Sequence, residues 1–188
     1  MESGSAEWAM QLAADKLAGD LPVRWRHVEG TIRRGEEIAM RLGDRDTLVA
    51  AAALHDVGLA PDVVDTHASM LDGARWLQRA GAPTRLVDLV AHCDCGQIEA
   101  ALRGHEEQYK EFEDERSPTR DALWYCCLTT GADGRPVTVE ERMAAWGTSY
   151  AGDEVIGRYA ELARDELVAA VERTLERLGA TTARQEKA

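Results

Sequence analysis

The sequence is poor in β-branched residues, has no long apolar run and is short of positive charge. Valine and isoleucine together number 17 of 188 residues, against 30 alanines and 18 leucines. β-Branched side chains favour strands whereas Ala and Leu favour helices, so the composition argues against a sheet and predicts an all-α fold. No apolar stretch approaches the ~20 residues that span a bilayer, and no signal-peptide pattern opens the chain. Lys plus Arg number 22 against 34 Asp plus Glu, a net charge of −12. Nucleic-acid binding rests on phosphate neutralisation, so this balance argues against it, and equally against an anionic membrane surface. A phosphorylated small molecule stays open as a partner where a metal ion supplies positive charge. Cysteine occurs four times. Without secretory context this predicts a cytoplasmic protein whose thiols are ligands or bystanders rather than disulfides. No repeat or low-complexity linker divides the chain, and its length suits one domain.

What is present is helical periodicity with its stop signals. Residues 5–18 read as a first helix, so that 1–19 form an N-terminal helix ahead of a core at 20–179, with 180–188 as a flexible tail. A second helix spans about Val23–Leu42 and stops at Gly43, with Asp46 as N-cap of the next. That next segment, TLVAAAALHDVG, is apolar nearly all round, which predicts a buried central helix. Helices follow at about Ser69–Arg79, Arg85–Cys93 and Gln97–Tyr109, and Ser117-Pro118 opens another through Leu128. TTGADGRPV reads as a turn-rich loop, and Thr138 with Glu141 has capping-box spacing. A last helix from about Asp153 is expected to end at Gly179.

His55-Asp56 closes the most apolar helix, where an ionised carboxylate is costly unless paired or bound to a metal. His27 lies near the apolar stripe of the second helix, His67 precedes a Gly73-Ala74 pair, and His92 ends the run LVDLVAH. Tyr125-Cys126-Cys127-Leu128 precedes the Thr-Thr-Gly loop.

This order of residues resembles the HD-domain superfamily of metal-dependent phosphohydrolases. His27 in RWRHVEG matches the first family His, His55-Asp56 in AALHDVG the doublet, and His67 in THASMLDGARWL the next His. The resemblance covers about residues 20–178. It implies an all-helical, single-domain bundle and a metal held by His27, His55 and Asp56. It further implies that Asp56 orients an activated water and that His67 assists proton transfer.

Two positions depart from the family pattern. Relatives carry Asp, the fourth ligand of the first metal, where this chain has Cys127. They carry a His that serves a second metal where it has Cys93, flanked by His92 and Asp94. Thiolate suits zinc better than magnesium, so the resemblance implies a divalent ion (Zn, Fe or Mn), one in preference to two. Cys127 would complete the first site, and His67 with His92 or Cys93 would serve any second ion. Arg24, Arg75 and Arg135 are the candidate substrate-facing cations. The expected activity is hydrolysis of a small phosphate ester or nucleotide. The alternatives are a divergent, non-hydrolytic protein that binds little or no metal and acts as a binding or scaffold protein, or an enzyme repurposed around its thiols or a di-iron site. A homodimer through the C-terminal helix is compatible with its acidic and apolar pattern.

Overall fold

The computed structural model describes residues 2–149 and 152–185. Among them are ten α-helices and no strand. They are α1 (Ala6–Leu17), α2 (Pro22–Leu42), α3 (Arg45–Leu54), α4 (Ser69–Arg79), α5 (Thr84–Ala91), α6 (Gly96–Leu102), α7 (Glu106–Tyr109), α8 (Pro118–Leu128), α9 (Val139–Ser149) and α10 (Glu154–Gln185). Short 3₁₀ turns at Val57–Leu59 and Cys93–Cys95 follow α3 and α5.

The helix without a polar face is the centre of the molecule. Every residue of α3 from Leu48 to Leu54 is buried, with α1, α2, α5 and α8 packed around it. The four consecutive alanines let those neighbours approach closely. The N-terminal helix belongs to the same core, since Ala9, Ala13 and Leu17 are fully buried and α1 lies against α3.

Local chemistry explains several helix ends. Ser117 Oγ accepts from Arg120 N at 3.2 Å and Pro118 occupies the first turn of α8. Thr138 and Glu141 form both hydrogen bonds of a capping box, at 2.8 and 3.2 Å. Three expectations are corrected. α3 begins two residues earlier, with Asp44 rather than Asp46 at its N-cap position; Asp44 spends its carboxylate on Thr119 and Arg85. The segment 97–109 breaks into α6 and α7 at Gly104, whose φ of 83° ends a helix without strain. Gly179 does not end α10, which continues to Gln185; a lone glycine costs a helix only ~1 kcal/mol. The final residues 186–188 of the expected tail lie outside the described residues.

α10 crosses α8 through a buried charge cluster. Asp121, 2% exposed, accepts from Arg173 and Arg177 at 2.8 Å and from Arg120 at 3.1 Å. Burial alone would raise its pKa, but the three guanidiniums outweigh it and hold the carboxyl at about 2. Because the folded pKa lies below the unfolded one, this contribution is complete above pH ~4 and is lost as pH falls toward 2. Acid titration of the wild type followed by circular dichroism should show stability falling in that window. An Asp121→Asn variant should lose part of that pH dependence, and an unchanged acid profile would count against this account.

Candidate metal centre

Three buried side chains converge from α2 and the end of α3. His27, His55 and Asp56 each offer a ligand atom, and these atoms all lie within 4.8 Å of one another. The two imidazole rings are 5.3 Å apart, edge to face. Backbone carbonyls fix both rings. His27 Nδ1 lies 3.1 Å from Gly131 O, and His55 Nδ1 lies 2.8 Å from Ala52 O. A carbonyl only accepts, so Nδ1 carries the hydrogen in each ring and Nε2 turns its lone pair inward. Metal-binding histidines are oriented by this same kind of outer hydrogen bond.

The contact that positions His27 depends on glycine. A Cβ on Gly30 would stand 2.5 Å from Gly134 O, so its absence lets the 130–136 loop rest on α2 and deliver Gly131 O. The turn after Asp56 needs the same licence. A Cβ on Gly58 would lie 1.8 Å from Ser69 O, so the 3₁₀ turn and the start of α4 touch backbone to backbone.

The donors at the centre have few hydrogens to share. His55 Nε2 has no hydrogen-bond partner and lies 3.3 Å from Asp56 Oδ2. A lone pair facing a carboxylate is repulsive unless a proton or a cation stands between them. Burial opposes a charged imidazole, but Asp56 and Cys127 outweigh it and raise the His55 pKa well above its usual value. Asp56 is held well below the carboxylate range, because Arg24 and His55 overcome the effect of burial. Arg24 Nη1 donates to Asp56 Oδ2 at 3.2 Å. Burial drives His27 down to about 3, with Arg142 among the causes. Arg142 Nη2 lies 3.3 Å from His27 Nε2 and can donate to it.

Cys127 stands beside His55, and its Sγ is 3.7 Å from Cys93 Sγ. All four cysteines are buried and free. Burial raises thiol pKa values, yet the Cys93 hydrogen bond and the His55 charge reverse this for Cys127 and bring it to about 6. Cys93 is pushed up, chiefly by burial. With these two sulfurs lies Asp94, the third member of a second buried donor group. Burial first, then Cys127, hold its carboxyl well above the usual range.

These groups meet at a cavity of ≈ 180 Å³, with Arg24, Asp94, Arg142, Met70, Trp146 and Tyr159 among its walls. His67 stands exposed at its edge with φ 63°. Asp72 holds that unfavourable backbone: its buried carboxylate accepts the N–H groups of Asp65, Thr66 and His67 and the Thr66 hydroxyl.

The sequence placed several residues here that the structure puts elsewhere. His92 is one helical step from Cys93 and faces away from the cavity. It packs on Tyr109 at 5.3 Å, with Nε2 at 3.2 Å from Phe112 O. Arg75 binds Glu111 and Gln108, both at 2.8 Å. Arg135 borders a separate cleft with Arg33 and Arg34. Of the three candidate cations only Arg24 reaches the centre. Sequence reasoning missed Asp94 as a site residue and Arg142 altogether. An acid between two cysteines just after an apolar run could have flagged Asp94. Arg142 carries no motif beyond its spacing of four from Trp146, on which its guanidinium stacks at 5.6 Å.

The HD-domain family model matches residues 24–146, the larger part of the chain, and the protein belongs to this family. The family places it in the superfamily of metal-dependent phosphohydrolases. Comparison with curated proteins and with solved structures returned no match. Among the described residues no helix is long and apolar enough to cross a membrane.

Proposed function

We propose that the protein is a metal-dependent phosphohydrolase acting on a small phosphate ester or nucleotide, with His27, His55 and Asp56 holding a divalent ion. The observation that carries this reading is the pair of imidazoles whose Nδ1 atoms are committed to carbonyls while a ligand atom of each lies within 4.8 Å of one from Asp56. His55 Nε2, buried and without a partner, is the donor that a cation would satisfy. When bound, the ion supplies Lewis-acid polarisation and lowers the pKa of a coordinated water.

The chain's own residues supply the rest. Arg24 and Arg142 present guanidiniums to an anion in the cavity, and guanidinium pairs well with phosphate oxygens. Met70 and Trp146 offer apolar surface for the organic part of the substrate. His67, exposed at the cavity edge, would exchange a proton between leaving group and solvent. The ≈ 180 Å³ volume favours a small substrate.

The test is hydrolysis of p-nitrophenyl phosphate and nucleoside monophosphates by chelator-stripped and zinc- or manganese-reconstituted protein. Activity should vanish on stripping and return on reconstitution. Full activity in stripped protein, or none in loaded protein, overturns the reading. The cations give a second check. Arg24→Ala should raise KM about tenfold or more, the worth of one charge-assisted hydrogen bond. Arg75→Ala and Arg135→Ala should leave kcat and KM unchanged, because neither side chain reaches the cavity.

A second reading has its own support. Arg142 on His27 and Arg24 on Asp56 already satisfy two of the donors without any ion. A metal-poor site would then bind a phosphate or carboxylate anion without hydrolysing it. Phosphate binding of equal affinity in stripped and loaded protein, with no turnover in either, would favour this second reading.

A further inference from the structure

We propose that Cys93 Sγ, Cys127 Sγ and the Asp94 carboxylate form a dithiolate–carboxylate site for a zinc-class divalent cation, contiguous with the His27–His55–Asp56 set. Three observations carry it. The ligand atoms of Cys93, Asp94 and Cys127 all lie within 4.8 Å of one another, and all three residues are buried. The sulfurs are 3.7 Å apart. Tetrahedral zinc with Zn–S bonds of about 2.3 Å places two thiolates about 3.8 Å apart, whereas a disulfide requires about 2.05 Å. The third observation is independent of the sulfurs. Asp94 is only 7% exposed, and its Oδ1 has no hydrogen-bond partner although the residue lines the cavity.

The local backbone is arranged around this group. Asp94 and Cys95 both take left-handed conformations, φ 48° and 60°, which non-glycine residues adopt at a cost. Tyr159 clasps the turn by donating its hydroxyl hydrogen to Asp94 O, and Tyr109 donates to Ala91 O just before it. The Cys93–Cys95 turn brings one sulfur and one carboxylate to the sulfur that α8 supplies through Cys127. Cys127 stands beside His55, whose Nε2 is itself without a partner, so an ion bound by the sulfurs adjoins the histidine set. Two thiolates and a carboxylate favour zinc, cobalt or cadmium over magnesium or manganese. The cavity wall at Asp94 supplies the route by which an ion enters.

The inference adds a donor set to the metal reading above but does not depend on hydrolysis, and its test separates the two. Metal-stripped protein is titrated with Co²⁺ and followed by absorption spectroscopy, with bound metal counted by elemental analysis. The expected result is a thiolate-to-cobalt charge-transfer band in the near ultraviolet that zinc suppresses and excess magnesium does not. Cys93→Ser and Cys127→Ser should each weaken the band and lower cobalt affinity at least about tenfold, and Asp56→Asn should retain it. The wild-type spectrum decides the matter even if a cysteine variant fails to fold. Cobalt bound with visible d–d bands and no charge-transfer band overturns the inference and leaves the histidine site standing. No cobalt uptake overturns both.

Discussion

Replacement of Asp56 by asparagine is expected to empty the His27–His55–Asp56 site and lower phosphate-ester hydrolysis by at least a hundredfold while leaving the fold intact. Loss of even an outer hydrogen bond to a metal ligand costs about 10–100-fold in affinity or activity, and here a ligand itself loses its charge. The fold survives because asparagine has the same shape and satisfies the same neighbours. Its carbonyl can still accept from Arg24, which donates to Oδ2 at 3.2 Å. His55 Nε2 lies 3.3 Å from that same oxygen, as it does from the carboxylate oxygen of the wild type. No buried polar atom is newly orphaned, so the stability change should stay within about 1 kcal/mol. Elemental analysis, activity assay and thermal denaturation on one preparation check all three statements. An Asp56→Asn protein that retains metal and activity would remove Asp56 from the centre.

Gly58→Ala should have the largest effect on stability. The added Cβ meets Ser69 O at 1.8 Å and Gly73 N at 2.6 Å. Both are backbone atoms that no rotamer change can move aside. The 3₁₀ turn and α4 must separate, and overpacking of this kind costs about 3 kcal/mol or more. For a chain of this size that corresponds to a Tm roughly 6–12 °C lower. The separation also pulls at the 65–67 loop that Asp72 holds, so His67 should lose its place at the cavity edge. Gly157→Ala is the matched control. It lies exposed within α10 with nothing near its would-be Cβ, and should stabilise by about 0.5–1 kcal/mol through helix propensity. Equal effects from the two substitutions would refute the account of Gly58.

Much of the fold was legible because its signals are local. Helix 69–79 is predicted to the residue, and the Ser117-Pro118 start and the Thr138–Glu141 box form as expected. Capping depends on neighbours three residues apart, which sequence displays directly. The α6–α7 break was not foreseen, although Gly104 marks it. The tail missed the other way, since a single glycine weakens a helix without ending it.

The metal-facing residues divide along the same line. His27, His55 and Asp56 were legible as a set through their match to the family pattern, the doublet ending an apolar helix and the earlier His lying near an apolar stripe. His92 was misplaced because a one-residue step at the end of α5 turns a side chain to another face. It is Asp94, two residues on, that the left-handed turn brings to the cavity. That turn has no glycine to announce it.

The sequence by itself thus determined an all-α chain, its central apolar helix, the His-Asp doublet and the two cysteines that replace expected ligands. The first three follow from propensity, periodicity and the order of residues along the chain, and the reading of the cysteines from the family resemblance that this order carries. Tertiary structure alone decided which groups share the cavity. It joined Cys93 to Cys127 across 34 positions at 3.7 Å, admitted Arg142 and Asp94, and sent Arg75, Arg135 and His92 to other surfaces. The physical reason is that convergence depends on helix crossings, on backbone contacts such as that at Gly58, and on one strained turn. None of these has a local sequence period.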